Sequence, residues 1–188
     1  MIVLGVDPGT LATGYGVLEG SGGSCRILEY GVILNKSNRG MALRLKEIHT
    51  RLTSVIERLH PDELAIETAF YGKNVQSALK LGHARGVSIL TAVMHEIPTT
   101  EYSPREVKKA VVGNGAASKE QVQAMVARLL RLKNLPRQFD ISDALAVALC
   151  HLQRSSRSLS AHSNIPSKRY RSWKEFIDAH PERMSKRP

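Results

Sequence analysis

The sequence predicts an α/β protein built on a mixed five-stranded sheet that is flanked by helices. Three short segments with strand-like composition follow one another at the N-terminus and are separated only by glycine-rich turns. Beyond residue 40 the apolar residues recur every three or four positions, and two further strand-like segments alternate with helical ones. Short turns join antiparallel strands, whereas a helical crossover joins parallel ones. We therefore expect an antiparallel meander extended by parallel strands.

The first predicted strand, residues 2–6, is followed directly by the carboxylate Asp7. Pro8 and Gly9 come next and require a tight turn. A carboxylate at the end of a buried strand is costly unless a hydrogen bond or a cation meets it. Asp7 is therefore either bonded into the turn or holds a metal ion, and the local sequence leaves both open.

Two more strands complete the meander, over residues 13–18 and 26–34. In the first of them Gly14 and Gly16 suit the close approach of another part of the chain. An amphipathic helix over residues 42–59 follows, because its apolar positions form one stripe between charged residues.

A second carboxylate, Glu67, ends the fourth predicted strand, residues 63–67. The helical crossover makes this strand parallel to the first, so Glu67 and Asp7 are expected at the same edge of the sheet, where open α/β sheets bind ligands. The alternative is an exposed glutamate at a strand end. Phe70 and Tyr71 follow in a predicted loop, where they either cover the core or stack on unpaired bases.

The next predicted helix, residues 74–96, contains two glycines, Gly82 and Gly86. Each glycine costs a helix about 1 kcal/mol relative to alanine, so a close contact is expected to compensate. That contact is made either with another helix, including a dimer partner, or with the protein's own sheet. The fifth predicted strand, residues 97–102, follows this helix.

Two capped helices are predicted to carry lysines. Ser103 is a natural N-cap for a helix over residues 105–112, which includes Lys108. Ser118 begins a capping box and places Lys119 in the first turn of the following helix. A cation is unfavourable there, so Lys119 either serves an anionic ligand or is a solvated lysine.

The last predicted helix, residues 139–153, begins with Asp140 and Asp143. Their spacing puts both side chains on one face, although acidic residues at a helix start are also ordinary structural devices. Together with Asp7 and Glu67 they would place four carboxylates at one sheet edge, where they would raise one another's pKa values. Two divalent ions would neutralise such a cluster, and oxygen ligands favour Mg²⁺ or Mn²⁺ over zinc.

The composition indicates one domain with a tail and a polyanionic partner. The chain has 188 residues, 42% of them hydrophobic, and its 27 Lys and Arg against 17 Asp and Glu give a net charge of +10. Nucleic acid is the first candidate partner and an anionic membrane surface the second. The absence of a long apolar run and of a signal-like N-terminus predicts a cytoplasmic protein that does not enter a membrane. Cys25 and Cys150 are too isolated to indicate a zinc site or a disulfide framework.

Five strings of this sequence resemble the RuvC family of bacterial Holliday junction resolvases, in the same order and at near-identical spacing. They are GVDPGT with TGYGVLE, LAIETAFYGKN, SALKLGHARGV, EYSPREVKKAVVGNGAASKEQVQ and DISDALAVALCHL. The resemblance spans residues 1 to about 152. It implies a ribonuclease-H-like nuclease domain over residues 1–154, a homodimer, four-way junction DNA as substrate, and the branch-migration proteins RuvA and RuvB as partners.

The resemblance also implies roles for individual residues. It implies that two Mg²⁺ ions per subunit, with Mn²⁺ as a substitute, are held by Asp7, Glu67, Asp140 and Asp143. The residues it implies for contact with DNA are the base-stacking Phe70, its loop neighbours Tyr71 and Lys73, and the cations Lys108 and Lys119 near the scissile phosphate. The segment 155–188 has no counterpart in these strings, and its basic, serine-rich composition predicts a flexible tail.

The expected activity is a pair of metal-dependent nicks across a four-way junction in recombination and DNA repair, leaving 5′-phosphate and 3′-hydroxyl ends. One alternative is a non-catalytic junction-binding protein, but a pure phosphate binder gains nothing from four convergent carboxylates. The other is an ATPase or kinase with a DPGT-like phosphate turn, whose fold needs two such domains and more than 188 residues.

Overall fold

Five strands form one mixed sheet in a computed structural model of the chain, which describes residues 1–21, 24–68, 75–132 and 138–163. The strands are β1 (Ile2–Asp7), β2 (Ala12–Ser21), β3 (Ser24–Leu34), β4 (Glu63–Glu67) and β5 (Thr99–Tyr102). Their order across the sheet is β3-β2-β1-β4-β5. β2 pairs antiparallel with β1 and β3, whereas β4 pairs parallel with β1 and β5. The predicted meander with added parallel strands is confirmed.

Five helices surround the sheet. They are α1 (Met41–Leu59), α2 (Val75–Met94), α3 (Pro104–Val112), α4 (Lys119–Leu129) and α5 (Phe139–Ser163). The predicted capping box of Ser118 with Gln121 is confirmed, and Ser103, which was predicted as an N-cap, also forms a capping box with Glu106. α5 runs ten residues beyond its predicted end at residue 153, because the apolar stripe that guided the prediction stops there while no Gly or Pro interrupts the helix.

The two faces of the sheet carry separate cores. One core joins Val3 and Ala65 to residues of α3, α4 and α5, and the other joins Leu4 and Ile66 to residues of α1 and α2. Neighbouring residues of β1 and β4 thus enter opposite cores, as the two-residue period of a strand requires. The odd-numbered residues of both strands therefore face α5.

The chain divides into two units, Met1–Ser156 and Arg157–Pro188. The site lies in the first unit. Most of the predicted tail, residues 155–188, lies outside the described residues, and its boundary and flexibility stay predictions. Within the described ranges, no helix is both long and apolar enough to cross a membrane.

Candidate active site

Strand alternation brings two predicted carboxylates to the face of the sheet that α5 covers. Val3 and Ala65 of the α5 core precede Asp7 and Glu67 by an even number of residues, so both carboxylates point to the same side. β1 and β4 are parallel and adjacent, with Val6 paired to Ile66. Asp7 and Glu67 are therefore neighbours at the carboxyl edge of the sheet, beneath the start of α5.

A missing side chain at Gly14 lets α5 lie directly against the sheet beside Asp7. Gly14 pairs with Asp7 across β1 and β2. A Cβ atom built at Gly14 would overlap the carbonyl oxygen of Asp140, and one at Gly5 would overlap that of Ala144. The close approach that the sequence predicted at Gly14 thus has a definite purpose, since it brings the first turn of α5 next to Asp7.

Thr13 holds the turn that follows Asp7. Its hydroxyl donates to the carbonyl oxygen of Gly9 at 2.6 Å, and the amide of Gly9 lies 3.4 Å from the same hydroxyl oxygen. The Thr13 side chain is fully buried. Sequence reasoning missed this residue, although a threonine four positions after a Pro-Gly turn was a usable signal for a side-chain clip across that turn.

The four carboxylates lie in one electrostatic field. Burial, followed by the charges of Glu67, Asp143 and Asp140, raises the pKa of Asp7 from 3.8 to about 8 against the opposing charge of Lys119. Burial and the charge of Asp143 raise the pKa of Glu67 from 4.5 to about 7. Burial also raises the pKa of Asp143, against the opposing charge of Lys119. Without a cation, part of this cluster therefore holds protons at neutral pH.

The charges of two lysines, Lys119 and Lys108, act on the carboxylates. Lys119 Nζ lies 3.1 Å from Asp143 Oδ2, and its side chain is 63% exposed whereas that of Asp143 is 13% exposed. Burial acts to lower the pKa of Lys119, but the adjacent Asp143 carboxylate more than offsets it and the pKa is raised. The charge of Lys108 acts to lower the pKa values of Glu67 and Asp143. The first-turn lysine of α4 thus meets an anionic group of the chain itself.

The donor chemistry of the cluster fits hard divalent cations, because it consists of carboxylate oxygens whose charges Lys119 and Lys108 offset only in part. Among the described residues, however, no group of three His, Cys, Asp or Glu side chains has the geometry of a metal site. These two observations are compatible because they concern different distances. Charges interact over several ångströms, whereas ligand oxygens must lie within about 2.0–2.6 Å of an ion. Asp143 in particular is turned toward Lys119.

The remaining predicted contacts with DNA come from one short segment, residues 69–74. Phe70, Tyr71 and Lys73 all lie outside the described residues. Their predicted roles in stacking and binding therefore stay predictions.

A buried polar chain behind the site was not expected from the sequence. Tyr102 Oη and His151 Nδ1 are 2.9 Å apart, at hydrogen-bond distance. His151 Nε2 lies 3.0 Å from Glu63 Oε2, but the geometry of this contact is not that of a hydrogen bond. The Tyr102 carbonyl oxygen accepts from the amide of Thr68 at 2.8 Å, directly after Glu67. α5 is thereby linked to the end of β4. The spacing in the sequence could have indicated it, because His151 follows Asp140 by eleven residues. Eleven residues are about three helical turns, so both residues lie on the same face of the last helix.

The fold and the site together define a ribonuclease-H-like nuclease domain, in which strand-end carboxylates of a mixed sheet meet those of a covering helix. A family model described as "Crossover junction endodeoxyribonuclease RuvC" matches residues 3–151. The chain belongs to this family, the RuvC crossover junction endodeoxyribonucleases, and the predicted resemblance is confirmed.

Individual relatives agree with this assignment. The crossover junction endodeoxyribonuclease RuvC of Chlorobium phaeovibrioides is 47% identical over 98% of this chain and 100% of the relative. A structure described as T. thermophilus RuvC in complex with Holliday junction substrate is 34% identical, covers 84% of this chain and 96% of that one, and has a TM-score of 0.80. The yeast mitochondrial Holliday junction resolvase Ydc2 covers 86% of this chain and 85% of its own, but at 12% identity and a TM-score of 0.55 it supports the fold alone.

Proposed function

We propose that this chain resolves four-way DNA junctions by paired metal-dependent nicks, and that Asp7, Glu67, Asp140 and Asp143 hold the divalent ions. The observation that carries the proposal is the cluster of electrostatically coupled carboxylates at one edge of the sheet. The chain around this cluster is strongly basic and belongs to an endodeoxyribonuclease family. The direct test is cleavage of a synthetic four-way junction with Mg²⁺, Mn²⁺ or Ca²⁺ added singly. Binding of the junction without nicks under every metal would favour the non-catalytic alternative.

The chain's own residues prepare the site for hydrolysis. Two Mg²⁺ ions, or Mn²⁺ in their place, would when bound supply activation of a water molecule and neutralisation of the phosphate charge. Asp7 and Glu67 are fixed on neighbouring strands, so their carboxylates are preorganised, while Asp140 and Asp143 arrive on one helix. In the in-line displacement, the oxygen of a water molecule forms a bond to phosphorus while the bond to the 3′ oxygen breaks, so no covalent enzyme intermediate is needed and 5′-phosphate and 3′-hydroxyl ends remain.

Lys119 has two successive tasks in this proposal. Before a cation binds, it compensates Asp143 through their 3.1 Å ion pair. Once a cation neutralises Asp143, the exposed ammonium group is available to the scissile phosphate, where it stabilises the charge that develops in the transition state. Lys108, whose charge already reaches Glu67 and Asp143, reinforces this field.

The metal-free chain is expected to become less stable as the pH rises from about 4 to about 8. The folded state keeps protons on Asp7, with a pKa of about 8, and on Glu67, with a pKa of about 7, whereas the unfolded chain releases them near 3.8 and 4.5. Unfolding then releases protons, so its free energy falls with increasing pH. Urea unfolding in EDTA at several pH values measures this slope, and Mg²⁺ should flatten it by replacing the protons. A flat profile in EDTA would show that folding does not raise the pKa values of these carboxylates.

A homodimer is the proposed assembly, with α2 as its interface. One face of α2 is exposed along its whole length, and Val75, Leu79, Leu90 and Val93 are 71%, 60%, 56% and 59% exposed. Gly82 and Gly86 lie in the same stripe, and a Cβ atom at either would meet no described atom within 4 Å. Among the described residues these glycines make no close contact with the chain's own sheet, which was one of the two alternatives, and a second copy of the chain remains to compensate their cost.

Replacing both glycines, as Gly82→Ala with Gly86→Ala, is expected to stabilise the monomer and weaken the dimer. Alanine raises helix stability by up to about 1 kcal/mol per site, whereas two added methyl groups would hold apart helices that approach at the glycines. Sedimentation at several protein concentrations gives the dimer dissociation constant. Lys80→Ala, exposed on the same helix but outside the stripe, is the matched control. A dimer of the double variant as tight as that of the control would place the interface elsewhere.

RuvA and RuvB are proposed as partners, and the cytoplasm as the site of action, because the family assignment extends over most of the chain. Two symmetry-related sites on a homodimer suit a junction that is itself nearly two-fold symmetric. Co-purification with purified RuvA and RuvB on a synthetic junction would test the partnership.

A further inference from the structure

A basic loop leaves the sheet at the same edge as the candidate active site. Residues 35–40 connect β3 to α1. β3 runs parallel to β1 because each is antiparallel to β2, and Val32 is level with Asp7 through their common partner Gly14. β3 continues for two residues beyond that level, to Leu34. The loop therefore projects past the carboxylates and not toward the opposite end of the sheet.

The position of the loop relative to Asp7 follows from strand spacing. Two strand separations put it about 10 Å to the side, and two further residues put it about 7 Å beyond the end of β1. The combined distance is about 12 Å. Successive nucleotides of one DNA strand rise by about 3.4 Å, so the loop is in reach of phosphates about three to four nucleotides from a strand cut at Asp7.

Hydrogen bonds fix the conformation of this loop. The amide of Asn35 donates to the carbonyl oxygen of Leu11 at 2.8 Å, which ties the loop to the segment that follows the Asp7 turn. Arg44 of α1 donates to the carbonyl oxygens of Ser37 and Arg39, the latter at 2.8 Å. The guanidinium of Arg44 is thus used to hold the backbone, and the loop is preorganised before any ligand arrives.

The charge of the surrounding segment is strongly positive. Residues 36–51 contain five cationic side chains and a single acidic one, Glu47. Glu47 pairs with Arg51 at 3.1 Å and lies 3.6 Å from Arg39, so it compensates only part of this charge. Lys36 and Arg39 are both exposed, and 45% of the Arg39 side chain remains accessible despite Glu47. A polyanion is the partner that this surface fits.

We propose that Lys36 and Arg39 bind backbone phosphates of the junction arm that lies on the β3 side of the cut. They would contact that arm about three to four nucleotides from the scissile phosphate. The inference rests on the proposed function, since it takes Asp7 as the position of the cut. Together with Lys108 and Lys119 these side chains place cations on both sides of the carboxylates, so the DNA is held across the site and the scissile phosphate is kept in register.

The test compares the double variant Lys36→Gln with Arg39→Gln against Arg26→Gln. Arg26 is an exposed arginine paired with Glu19, which lies opposite Ile2 at the other end of the sheet, so its removal is a charge control remote from the site. Junction binding by the full chain is measured in EDTA from 50 to 200 mM salt. The logarithm of the association constant falls with the logarithm of the salt concentration, and loss of two phosphate contacts should make this negative slope shallower by about 2. Wild type should therefore lose roughly tenfold more affinity over this salt range than the double variant. Lys36→Gln alone should make the slope shallower by about 1.

Hydroxyl-radical footprinting locates the contact. In the double variant, protection about three to four nucleotides from the cut should disappear while protection at the cut remains. A double variant with the slope and footprint of Arg26→Gln would overturn the inference and leave the proposed function intact. Failure of the wild-type chain to bind or nick the junction under any metal would instead overturn the proposed function.

Discussion

Asp7→Asn is expected to lower junction cleavage by about 10³-fold or more while leaving junction affinity close to that of wild type. Asp7 lies where β1, β4 and the start of α5 meet, and its pKa responds to all three other carboxylates. An amide at this position removes the proposed central anionic ligand, and metal ions contribute several kcal/mol to reactions of this kind at 1.36 kcal/mol per tenfold in rate. The basic surfaces that attract DNA are unchanged, so binding persists.

The measurement is single-turnover cleavage and equilibrium binding on one synthetic junction with Mg²⁺. Glu19→Gln is the matched control, because it is also a carboxylate-to-amide change but lies near the opposite end of β2. Cleavage by Asp7→Asn at the rate of this control would refute the assignment of Asp7.

The same variant has an opposite effect on stability. Since the buried carboxylate of Asp7 has a pKa raised to about 8, its ionisation opposes folding at higher pH when no metal is present. An uncharged amide avoids this cost, so Asp7→Asn should unfold at higher urea concentration than wild type at pH 8 in EDTA. A variant that loses activity and gains metal-free stability has lost a ligand, whereas one that loses both has lost its fold.

The sequence was sufficient for the parts of the site that depend on local periodicity and chain connection. Two strand ends joined by a helical crossover placed Asp7 and Glu67 at one edge, and the N-cap of α3 and the capping box of α4 were predicted directly from Ser103 and Ser118. These features are decided within a few residues or by the handedness of one connection. For the same reason they could be predicted without knowing how the helices pack.

Other parts of the site depend on tertiary packing, which no local pattern encodes. The pairing of Lys119 with Asp143 joins residues 24 apart on two different helices, and the contact of Tyr102 with His151 joins residues 49 apart. A close contact was predicted at Gly82 because glycine destabilises a helix relative to alanine. This destabilisation does not indicate which element, or which other chain, packs against the glycine. In the described residues the surface at Gly82 is open.

Gly14→Ala is expected to reduce cleavage by about 10²-fold or more, although it adds one methyl group and removes no functional atom. A Cβ atom at this position would overlap the backbone carbonyl group of Asp140, and backbone cannot move aside as a side chain can. The first turn of α5 must therefore shift away from Asp7. A displacement of about 1 Å at a catalytic group costs roughly 10²-fold in rate, and overpacking of this kind costs about 1–3 kcal/mol in stability.

Comparison with Gly16→Ala separates the displacement of the first turn of α5 from the loss of stability that overpacking causes. Gly16 lies two residues away on the same face of β2, but a Cβ atom there would first meet the side chain of Leu145, 2.5 Å from Cδ2, whereas the nearest backbone atom lies 3.4 Å away. Both variants add a methyl group beneath α5, so both should lose stability by urea unfolding. Gly40→Ala, where a Cβ meets nothing within 4 Å, should lose less, because only the weaker preference of alanine for the N-cap position of α1 opposes it. Cleavage should fall much further in Gly14→Ala than in Gly16→Ala, and Mg²⁺ should stabilise Gly14→Ala less than wild type. If instead activity followed stability across all three variants, the close approach at Gly14 would serve packing only, and Asp140 would not need its position beside Asp7 for catalysis.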